Sequence, residues 1–311
     1  MSVLICGSMA YDHIMVFPDK FKNHILPEKI HMLNVSFLVP EMRREFGGCA
    51  GNIAYNLNLL DDSIALPMAT GGKDFESYAY WMDKRHMNRT HITVVDDAFT
   101  GQAFITTDLD DNQITAFHPG AMNESHRNKV KDAKDCKIGI ISPDGRDGML
   151  QHADQFSEAG IPFIFDPGQG MPMFTGEELS QFIEQATWVT VNDYEWQMMQ
   201  YKTGLSPNEI AAQIKALVVT RGSDGSTIYT KDKQYDIPCV KPESITDPTG
   251  CGDAYRAGLL YGLVNEMDWE TTGRIASLMG SIKIEKPGTQ NHSFTLDEFE
   301  ARFEKEFGSS I

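Results

Sequence analysis

Short apolar runs that end in a polar residue or a glycine recur along the chain, and they constrain its fold more than any other feature. Their residues are apolar in succession rather than alternately, which is typical of strands buried on both faces of a parallel sheet. Segments of helical length separate several of these runs, so their order predicts β-α-β units and an α/β fold. The predicted strands are 3–6, 138–141, 163–165, 188–191 and 217–219, and the predicted helices include 148–159, 176–186 and 207–215.

Two stretches do not follow this pattern and predict a small β subdomain. Residues 31–39 are rich in β-forming side chains but have no helical partner. Residues 102–108 and 113–117 flank the turn-forming segment 109–112, which predicts a hairpin. We expect both stretches to form one subdomain inserted into the α/β core. The expected boundaries are 1–11, 45–97 and 119–311 for the core, and 12–44 and 98–118 for the subdomain.

The balance of charges excludes several classes of partner. The 311 residues include 27 Lys+Arg and 44 Asp+Glu, which gives a formal net charge of −17. Nucleic acids and anionic membranes need a basic surface, so neither is expected to bind. The five cysteines are scattered, which disfavours a disulfide framework or a structural zinc site. Without a basic, apolar leader or an apolar run of about 20 residues, the sequence predicts a cytoplasmic protein.

A glycine-rich segment at 247–258, DPTGCGDAYRAG, is the strongest indication of chemistry. Apolar residues at helical spacing follow it, so Gly250 and Gly252 are predicted to open a helix whose first N–H groups accommodate an anion. Asp253 beside that anion would accept a proton from an attacking hydroxyl group, which is the pairing that phosphoryl transfer requires. The alternative is a plain glycine-rich helix start that Asp253 caps.

A second glycine segment and an upstream aspartate predict contacts to a substrate. Gly48 lies in the segment 47–52, GGCAGN, which opens another predicted helix. Asn52 in the first turn of that helix either bonds a substrate hydroxyl group or caps the helix. Asp12 follows a loop that begins at Gly7, where a carboxylate either accepts the protons of a diol or ends a turn.

Two strand ends carry residues suited to a nucleotide. Asn192 and Glu195 share one face of a predicted helix, where they could hold a hydrated Mg²⁺ bound to phosphates. The same spacing also forms a capping box. The segment 220–225, TRGSDG, follows the next strand and fits either a nucleotide-binding loop or a hairpin turn.

Taken in this order, the segments resemble the PfkB/ribokinase family of carbohydrate and nucleoside kinases over nearly the whole chain. Within the family, the chain is most similar to bacterial adenosine kinases with the ribokinase fold. The resemblance implies a three-layer α/β/α core with a mostly parallel sheet and a small β-sheet lid. The matching segments are 47–52, 192–195, 220–225, 247–258 and 287–290, and those like adenosine kinases are 7–12, 26–28, 36–39, 117–122, 192–196 and 288–290.

On the acceptor side, the resemblance implies that Asp253 is the catalytic base. Gln169 is the polar group kept after the Asp-Pro motif at 166–167 and is assigned to the base pocket, while Ala103 lies where an aromatic side chain is expected. The other implied residues are Gly250, Cys251 and Gly252 for the anion hole, Asp12, Gly48 and Asn52 for the ribose hydroxyl groups, and Ser8, Ser36 and Phe117 for the nucleoside.

On the ATP side, the resemblance implies that Asn192 and Glu195 organise Mg²⁺ and the phosphates. Residues 284–292 would lie against the adenine. The residues that line the ATP site would be Thr220, Gly222, Gly225 and Thr249.

Some members of the family also bind a monovalent cation near the anion hole, and the resemblance implies a K⁺ site here. Asp247 and Thr249 match its side chains, and His292 stands where a serine is common. The contributing carbonyl groups would lie near Lys283, Lys286 and Gly288.

The sequence therefore predicts an ATP-dependent kinase for the 5′-hydroxyl group of a nucleoside, adenosine first, giving AMP as in purine salvage. The alternative is a sugar kinase for a ribose- or fructose-like acceptor. A nucleoside-binding regulator is disfavoured by the intact Asp253, Asn192 and Glu195, and a dinucleotide oxidoreductase by the lack of G-x-G-x-x-G after a strand. Because lids in this family often pair, we expect a homodimer through the lid.

Overall fold

The computed structural model describes residues 2–25, 32, 34–110 and 112–311, and the elements below are those of the described residues. The strands are β1 Ser2–Cys6, β2 Ala10–Val16, β3 Glu41–Gly47, β4 Ala65–Gly72, β5 His91–Val95, β6 Gly101–Thr107, β7 Gln113–His118, β8 Cys136–Ile141, β9 Phe163–Phe165, β10 Trp188–Asn192, β11 Ala216–Thr220, β12 Ser226–Tyr229 and β13 Gln234–Ile237. The helices are α1 Cys49–Leu60, α2 Glu76–Lys84, α3 Arg146–Ala159, α4 Gly176–Gln185, α5 Asp193–Thr203, α6 Pro207–Ala211, α7 Cys251–Val264, α8 Trp269–Ile284 and α9 Leu296–Phe307.

The larger of two sheets has the strand order β13-β12-β11-β10-β9-β8-β1-β4-β5. Every pair from β11 to β5 is parallel, and only the β11–β12 and β12–β13 pairs are antiparallel. The predicted α/β fold with a mostly parallel sheet is therefore confirmed. Each strand predicted from an apolar run lies in this sheet within two residues of its expected bounds.

Helices cover both faces of the sheet, which explains why the strands are apolar at successive positions. Val3 and Ile5 of β1 pack with residues of α1, α2, α7 and α8. Leu4 and Cys6, which alternate with them, pack on the other face with residues of α3, α4, α5 and α6. The core is thus the expected three-layer α/β/α arrangement. Among the helices described, none combines the length and the apolarity needed to cross a membrane.

The second sheet is small and has the strand order β3-β2-β6-β7. Strands β2 and β6 are parallel, while β2–β3 and β6–β7 are antiparallel, the latter being the predicted hairpin. We call this sheet the lid. Its strands come from two separate stretches of the chain, so it is attached to the core on either side of the segment that contains α1, β4, α2 and β5.

The structure corrects two of the sequence predictions. The β-rich stretch expected at 31–39 lies partly outside the described residues, and its residues 34–39 have no regular secondary structure. The strand lies instead at β3. Its residues Glu41–Arg44 are exposed and mostly polar, so they lack the alternation of apolar and polar side chains that predicts a strand. The helix expected at 207–215 ends at Ala211, and the residues between it and β11 form turns instead of a further helical turn.

Candidate active site

Helices α1 and α7 begin side by side at the carboxyl edge of the main sheet, where open α/β sheets bind their ligands. The residue before each helix is a glycine with a positive φ, 86° for Gly48 and 81° for Gly250. A Cβ on Gly48 would lie 2.6 Å from the Cα atom of Met9, so glycine also permits a close approach to the loop after β1. The predicted glycine-opened helices are both present.

Asn52 and Asp253 join the first turns of these two helices. The Asn52 side-chain amide donates a hydrogen bond to Asp253 Oδ2 over 2.8 Å. Asn52 is buried and Asp253 is partly buried. Two residues 201 positions apart in sequence, each singled out by its own glycine segment, therefore lie in direct contact.

A chain of hydrogen bonds fixes which way the Asn52 amide points. The indole N–H of Trp81 can only donate, and it donates to Gln290 Oε1 over 2.9 Å. The Gln290 nitrogen must then donate, and it does so to the Tyr78 hydroxyl at 2.8 Å and to Asn52 Oδ1 at 3.0 Å. The Asn52 nitrogen is left to face Asp253, so the network presents a donor to that carboxylate.

The surroundings of Asp253 shift the pKa of its carboxyl group. Burial raises its pKa to about 7, which outweighs the lowering by the Asn52 hydrogen bond and by the charge of Arg256. The negative charges of Asp166 and Asp12 raise its pKa further. A pKa near the working pH suits a group that must be ionised before the reaction and take up a proton during it.

A buried ion pair that the sequence reasoning missed lies beneath the start of α7. Arg256 Nε and one terminal nitrogen donate to the two carboxylate oxygens of Asp166 at 3.1 and 2.9 Å. Arg256 also lies 3.9 Å from Glu195 Oε2, and its other terminal nitrogen is 3.4 Å from the Gly252 carbonyl oxygen. The signal was present, because Arg256 follows Asp253 by three residues and so shares its side of the helix.

The anion hole was predicted at the start of α7, from the N–H groups of Gly250, Cys251 and Gly252. The first intrahelical bond runs from the Ala254 N–H to the Gly250 carbonyl oxygen over 3.0 Å. The Cys251 N–H is already engaged, since it donates to the Pro248 carbonyl oxygen over 3.2 Å. The N–H groups of Gly252 and Asp253 precede the first i→i−4 bond, and Gly252 is exposed, so an anion has access to them.

The lid contributes a row of side chains that runs across its strands. Asp12 of β2 pairs with Ala103 of β6, and Ala103 pairs with Phe117 of β7, so the three share one face of the lid. Glu45 of β3 pairs with Asp12 on the other side. Burial raises the pKa of Asp12 to about 6, with further raising by Glu45 and Asp247.

Asn192 and Glu195 form the capping box that was the alternative interpretation of their spacing. Asn192 Oδ1 accepts from the Glu195 N–H at 2.7 Å, and Glu195 Oε2 accepts from the Asn192 N–H at 2.8 Å. Thr220 is the register partner of Asn192 on the next strand, so both lie at one edge of the sheet. Gly225, at φ 81°, closes the turn that follows, where a Cβ would clash with the Ile237 carbonyl oxygen.

Three further residues were expected at the nucleoside, and they differ in their surroundings. The Ser8 hydroxyl accepts a hydrogen bond from the Cys49 N–H over 3.1 Å and so caps α1. Ser36 is exposed in a segment without regular structure, and Gln169 is exposed in the 3₁₀ helix Gly168–Met173. The segment 26–28 used for the resemblance lies outside the described residues.

No group of three or more His, Cys, Asp or Glu side chains suited to a metal ion occurs in the part of the chain that the structure describes. A cavity of about 690 Å³ lies at the opposite edge of the main sheet, lined by residues that include Lys137, Trp188 and Lys215. Those residues lie at or before the starts of their strands, whereas ligands of open α/β sheets bind at the carboxyl ends. The candidate site is therefore the edge that carries Asp253.

Comparison with known proteins agrees with this geometry. Residues 8–295 match the family described as pfkB family carbohydrate kinase. The chain is 31% identical over 280 residues to a nucleoside kinase of Methanocaldococcus jannaschii, which covers 89% of this chain and 92% of that protein. The structure of Burkholderia thailandensis nucleoside kinase in complex with inosine has a TM-score of 0.91 at 52% identity and covers 99% of each chain. Its complex with ADP-inosine has a TM-score of 0.88 at 53% identity, covering 99% of this chain and 97% of that one.

The fold is that of a kinase that phosphorylates a hydroxyl group. More particularly, the chain belongs to the PfkB family of carbohydrate kinases. The resemblance stated from the sequence is thereby confirmed at the level of family, fold and enzyme class.

Proposed function

We propose that this kinase transfers the γ-phosphoryl group of ATP to the 5′-hydroxyl group of a nucleoside. The observation that carries the proposal is the row of Asp12, Ala103 and Phe117 on one lid face, whose member Asp12 is close enough to Asp253 for its charge to raise the pKa of that group. The nucleoside kinases of Methanocaldococcus jannaschii and Burkholderia thailandensis, similar over nearly their whole length, support this class of acceptor.

Asp253 is the base of the proposed reaction. Its carboxylate takes the proton of the 5′-hydroxyl group as the oxygen attacks the γ-phosphorus, and the bond from that phosphorus to the ADP leaving group breaks. The Asn52 amide holds the carboxylate in place through its 2.8 Å hydrogen bond. The N–H groups of Gly252 and Asp253 then stabilise the negative charge on the transferred phosphoryl group.

Arg256 is a positioning residue in this scheme. It ties the start of α7 to Asp166 at the end of β9 and lies 3.9 Å from Glu195 at the start of α5. Its positive charge also lowers the pKa of Asp253, against the burial that raises it. The ion pair therefore supports the location of the base, and the charge of Arg256 supports its ionisation.

Asn192 and Glu195 are the residues that fit a magnesium ion. Among the described residues, hydrogen bonds engage only Oε2 of Glu195, so Oε1 is available to a water of a hydrated ion. The lack of a larger acidic cluster in the described chain suits an ion that is held mainly by phosphates and water. Bound there, Mg²⁺ would neutralise phosphate charge. Thr220, Gly222, Gly225 and Thr249 are proposed to line the ATP site with residues 284–292 against the adenine.

The lid row has the dimensions of a nucleoside site. Adjacent strands lie about 4.8 Å apart, so Phe117 is about 10 Å across the sheet from Asp12. Asp12, with Gly48 and Asn52, is proposed to receive the ribose hydroxyl groups, and the half-exposed Phe117 is proposed to stack on the base. The small side chain of Ala103 between them leaves room for the nucleoside. Ser8, Ser36 and Gln169 are proposed at its periphery.

Adenosine is the proposed substrate, and inosine is its strongest competitor. The sequence prediction of adenosine rests on the resemblance to adenosine kinases, whereas a similar kinase of Burkholderia thailandensis has been crystallised with inosine. Phe117 would stack on either purine, because stacking does not distinguish their edges. Initial rates with saturating ATP and each nucleoside separate the two.

We also propose that the protein is a homodimer through the lid. Met42, Phe104 and Ile114 lie on the lid face opposite Asp12 and are 66%, 40% and 45% exposed. An apolar face of this kind is typical of a surface that pairs with a copy of itself. Sedimentation equilibrium of the wild type is expected to give a dimer, and an Ile114→Lys, Met42→Lys variant a monomer. A monomeric wild type at micromolar concentration would contradict the proposal.

The test of the proposed function is an ADP-formation assay with ATP, Mg²⁺ and a panel of acceptors. Adenosine and inosine are expected to be turned over with kcat/KM at least about 100-fold above ribose and fructose, because the free sugars lack the whole base, and so lose the burial of its apolar surface as well as its stacking on Phe117. A free pentose or hexose as the best acceptor would favour a sugar kinase. The position of the new phosphate, read by ³¹P–¹H correlation spectra of the product, tests the 5′ assignment.

A further inference from the structure

Lys283, near the end of α8, has a fully buried side chain that points into the loops around the start of α7. Its exposed fraction is 0%, and its ammonium group donates to the Asp247 carbonyl oxygen over 2.6 Å. The Lys286 carbonyl oxygen lies 3.4 Å from the same nitrogen. A buried lysine is costly unless its charge is met, and here two backbone carbonyl groups and the nearby Asp247 carboxylate meet it.

These contacts join two loops that frame the anion hole. One loop leads through Asp247 into Gly250, and the other is the turn at Lys286 and Gly288. The Asp247 carboxylate accepts from the Thr249 N–H and from the Gly288 N–H, each over 2.9 Å. The lysine and the aspartate together therefore link both loops through charged groups directly before α7 begins.

The resemblance to the family implied a K⁺ ion held by Asp247 and Thr249 with carbonyl groups near Lys283, Lys286 and Gly288. The residues present do not fit one, because the ammonium of Lys283 already lies at this point, 2.6 Å from the Asp247 carbonyl oxygen and 3.4 Å from the Lys286 carbonyl oxygen. A second cation beside a buried ammonium would meet strong repulsion at low dielectric. His292, which replaces the common serine, is also buried. Its Nε2 atom is hydrogen-bonded to Asn56 Oδ1 over 2.8 Å, so the ring is part of the core and not of a cation site.

We infer that Lys283 is a covalently tethered replacement for the activating cation, so that this kinase works without K⁺. Its ammonium holds the two loops in the arrangement that directs the N–H groups of Gly252 and Asp253 at the phosphoryl group. Lys283 is thus a positioning residue, since it touches neither substrate nor the reacting atoms. The inference rests on the proposed function only for the activity readout.

Burial lowers the pKa of Lys283, and the negative charge of Asp247 acts against that lowering. Burial lowers the pKa of His292 to about 4, and the charge of Lys283 lowers it further, so the imidazole stays neutral. Burial raises the pKa of Cys251 to about 11, against a lowering by Lys283. Among these neighbours, Asp247 carries the balancing charge.

The first experiment measures wild-type kinase activity in the chlorides of potassium, sodium and tetramethylammonium at constant ionic strength. The three rates are expected to agree within about twofold, because the Lys283 ammonium already occupies the cation site. Stimulation by K⁺ of about fivefold or more over tetramethylammonium would overturn the inference.

The second experiment uses Lys283→Met, which removes the charge and keeps much of the side-chain volume. In tetramethylammonium its kcat is expected to fall about 100-fold, as for a displaced catalytic group. Added K⁺ is expected to recover at least a tenth of the lost kcat, and this recovery should level off as the K⁺ concentration rises. The control is Lys305→Met, an exposed lysine on α9, which should respond to no salt. Full activity of Lys283→Met in tetramethylammonium would contradict the role of the ammonium.

A third readout needs no turnover and so separates this inference from the proposed function. An ion that binds only the folded state raises the midpoint of thermal unfolding. We expect equal midpoints for the wild type in potassium and in tetramethylammonium chloride, and a higher midpoint in potassium for Lys283→Met. A wild-type midpoint that rises with K⁺ would overturn the inference even if no nucleoside is phosphorylated. A folding failure of the variant leaves this wild-type comparison intact.

Discussion

The Asn52 side-chain amide donates a hydrogen bond to the carboxylate of Asp253 over 2.8 Å. This contact joins the first turns of α1 and α7, so the two glycine segments of the sequence form one site. Its direction is set by Trp81, whose indole can only donate, through Gln290. Asp253 therefore always faces a donor, which favours its ionised form against the burial that opposes it.

Asp253→Asn should abolish most of the activity. The amide cannot accept the proton of the acceptor hydroxyl group, so kcat is expected to fall by about 10² to 10⁴-fold with KM for ATP little changed. Steady-state kinetics measure this, with circular dichroism to check the fold. Turnover within tenfold of the wild type would reject Asp253 as the base.

The same substitution should stabilise the fold at alkaline pH. Burial raises the pKa of Asp253 to about 7, so the folded state binds this proton more tightly than the unfolded chain. Its contribution to stability is therefore present below the unfolded pKa and is lost as the pH rises towards 7. Asn stays neutral, so Asp253→Asn is expected to raise the midpoint of thermal unfolding at pH 8, by about 2–4 °C for each kcal/mol. A lower midpoint at pH 8 would contradict the burial argument.

Asn52→Ala should shift the pH dependence of catalysis. The Asn52 hydrogen bond lowers the pKa of Asp253, so its removal raises that pKa and moves the acid limb of kcat/KM to higher pH. The profile is measured between pH 5 and 9. Trp81→Phe, which removes only the donor to Gln290, should produce a smaller shift in the same direction. An unchanged acid limb in Asn52→Ala would mean that another group controls it.

The Arg256–Asp166 pair should be coupled in stability. Removing one partner strands a buried charge, so Arg256→Met or Asp166→Asn alone is expected to cost about 3–5 kcal/mol. The double variant should cost clearly less than the sum of the two. Urea unfolding of the four proteins gives the coupling free energy, and a sum that is simply additive would show that the pair does not act as a unit.

Phe117→Ala should weaken the binding of the acceptor and not of ATP. Loss of a stacking ring is expected to raise KM for the nucleoside by about three- to tenfold, with KM for ATP unchanged. Tyr201→Ala is the control, since Tyr201 is an exposed aromatic residue on α5, outside the lid. Equal effects on both substrates would place Phe117 outside the nucleoside site.

The sequence predicted the main sheet well because its strands are buried on both faces and read as continuous apolar runs. It missed β3, whose Arg43 and Arg44 lie on the half-exposed lid and carry no hydrophobic pattern. It also missed the ion pair of Arg256 with Asp166 and the buried ammonium of Lys283. Contacts across 90 and 36 positions of sequence depend on tertiary packing, which local patterns do not report.

The candidate site was half predictable for the same reason. Asp253, Asn52 and Asp12 were each singled out by a preceding glycine. Those glycines indicated positions where another group comes close to the backbone. Gln290, in a segment that the resemblance singled out, orients Asn52, whereas Tyr78 and Trp81, which bond to Gln290, look like ordinary core residues in the sequence. Ser8 was expected at the nucleoside, and its hydroxyl also accepts from the Cys49 N–H at the start of α1, a contact that local sequence does not reveal.

The most direct test of the account is the rate of ADP formation by wild-type protein with adenosine, inosine, ribose and fructose, repeated with Asp253→Asn. The account predicts that a purine nucleoside is the best acceptor by at least about 100-fold and that the variant loses this activity. A free sugar as the preferred acceptor, or undiminished turnover by Asp253→Asn, would contradict it.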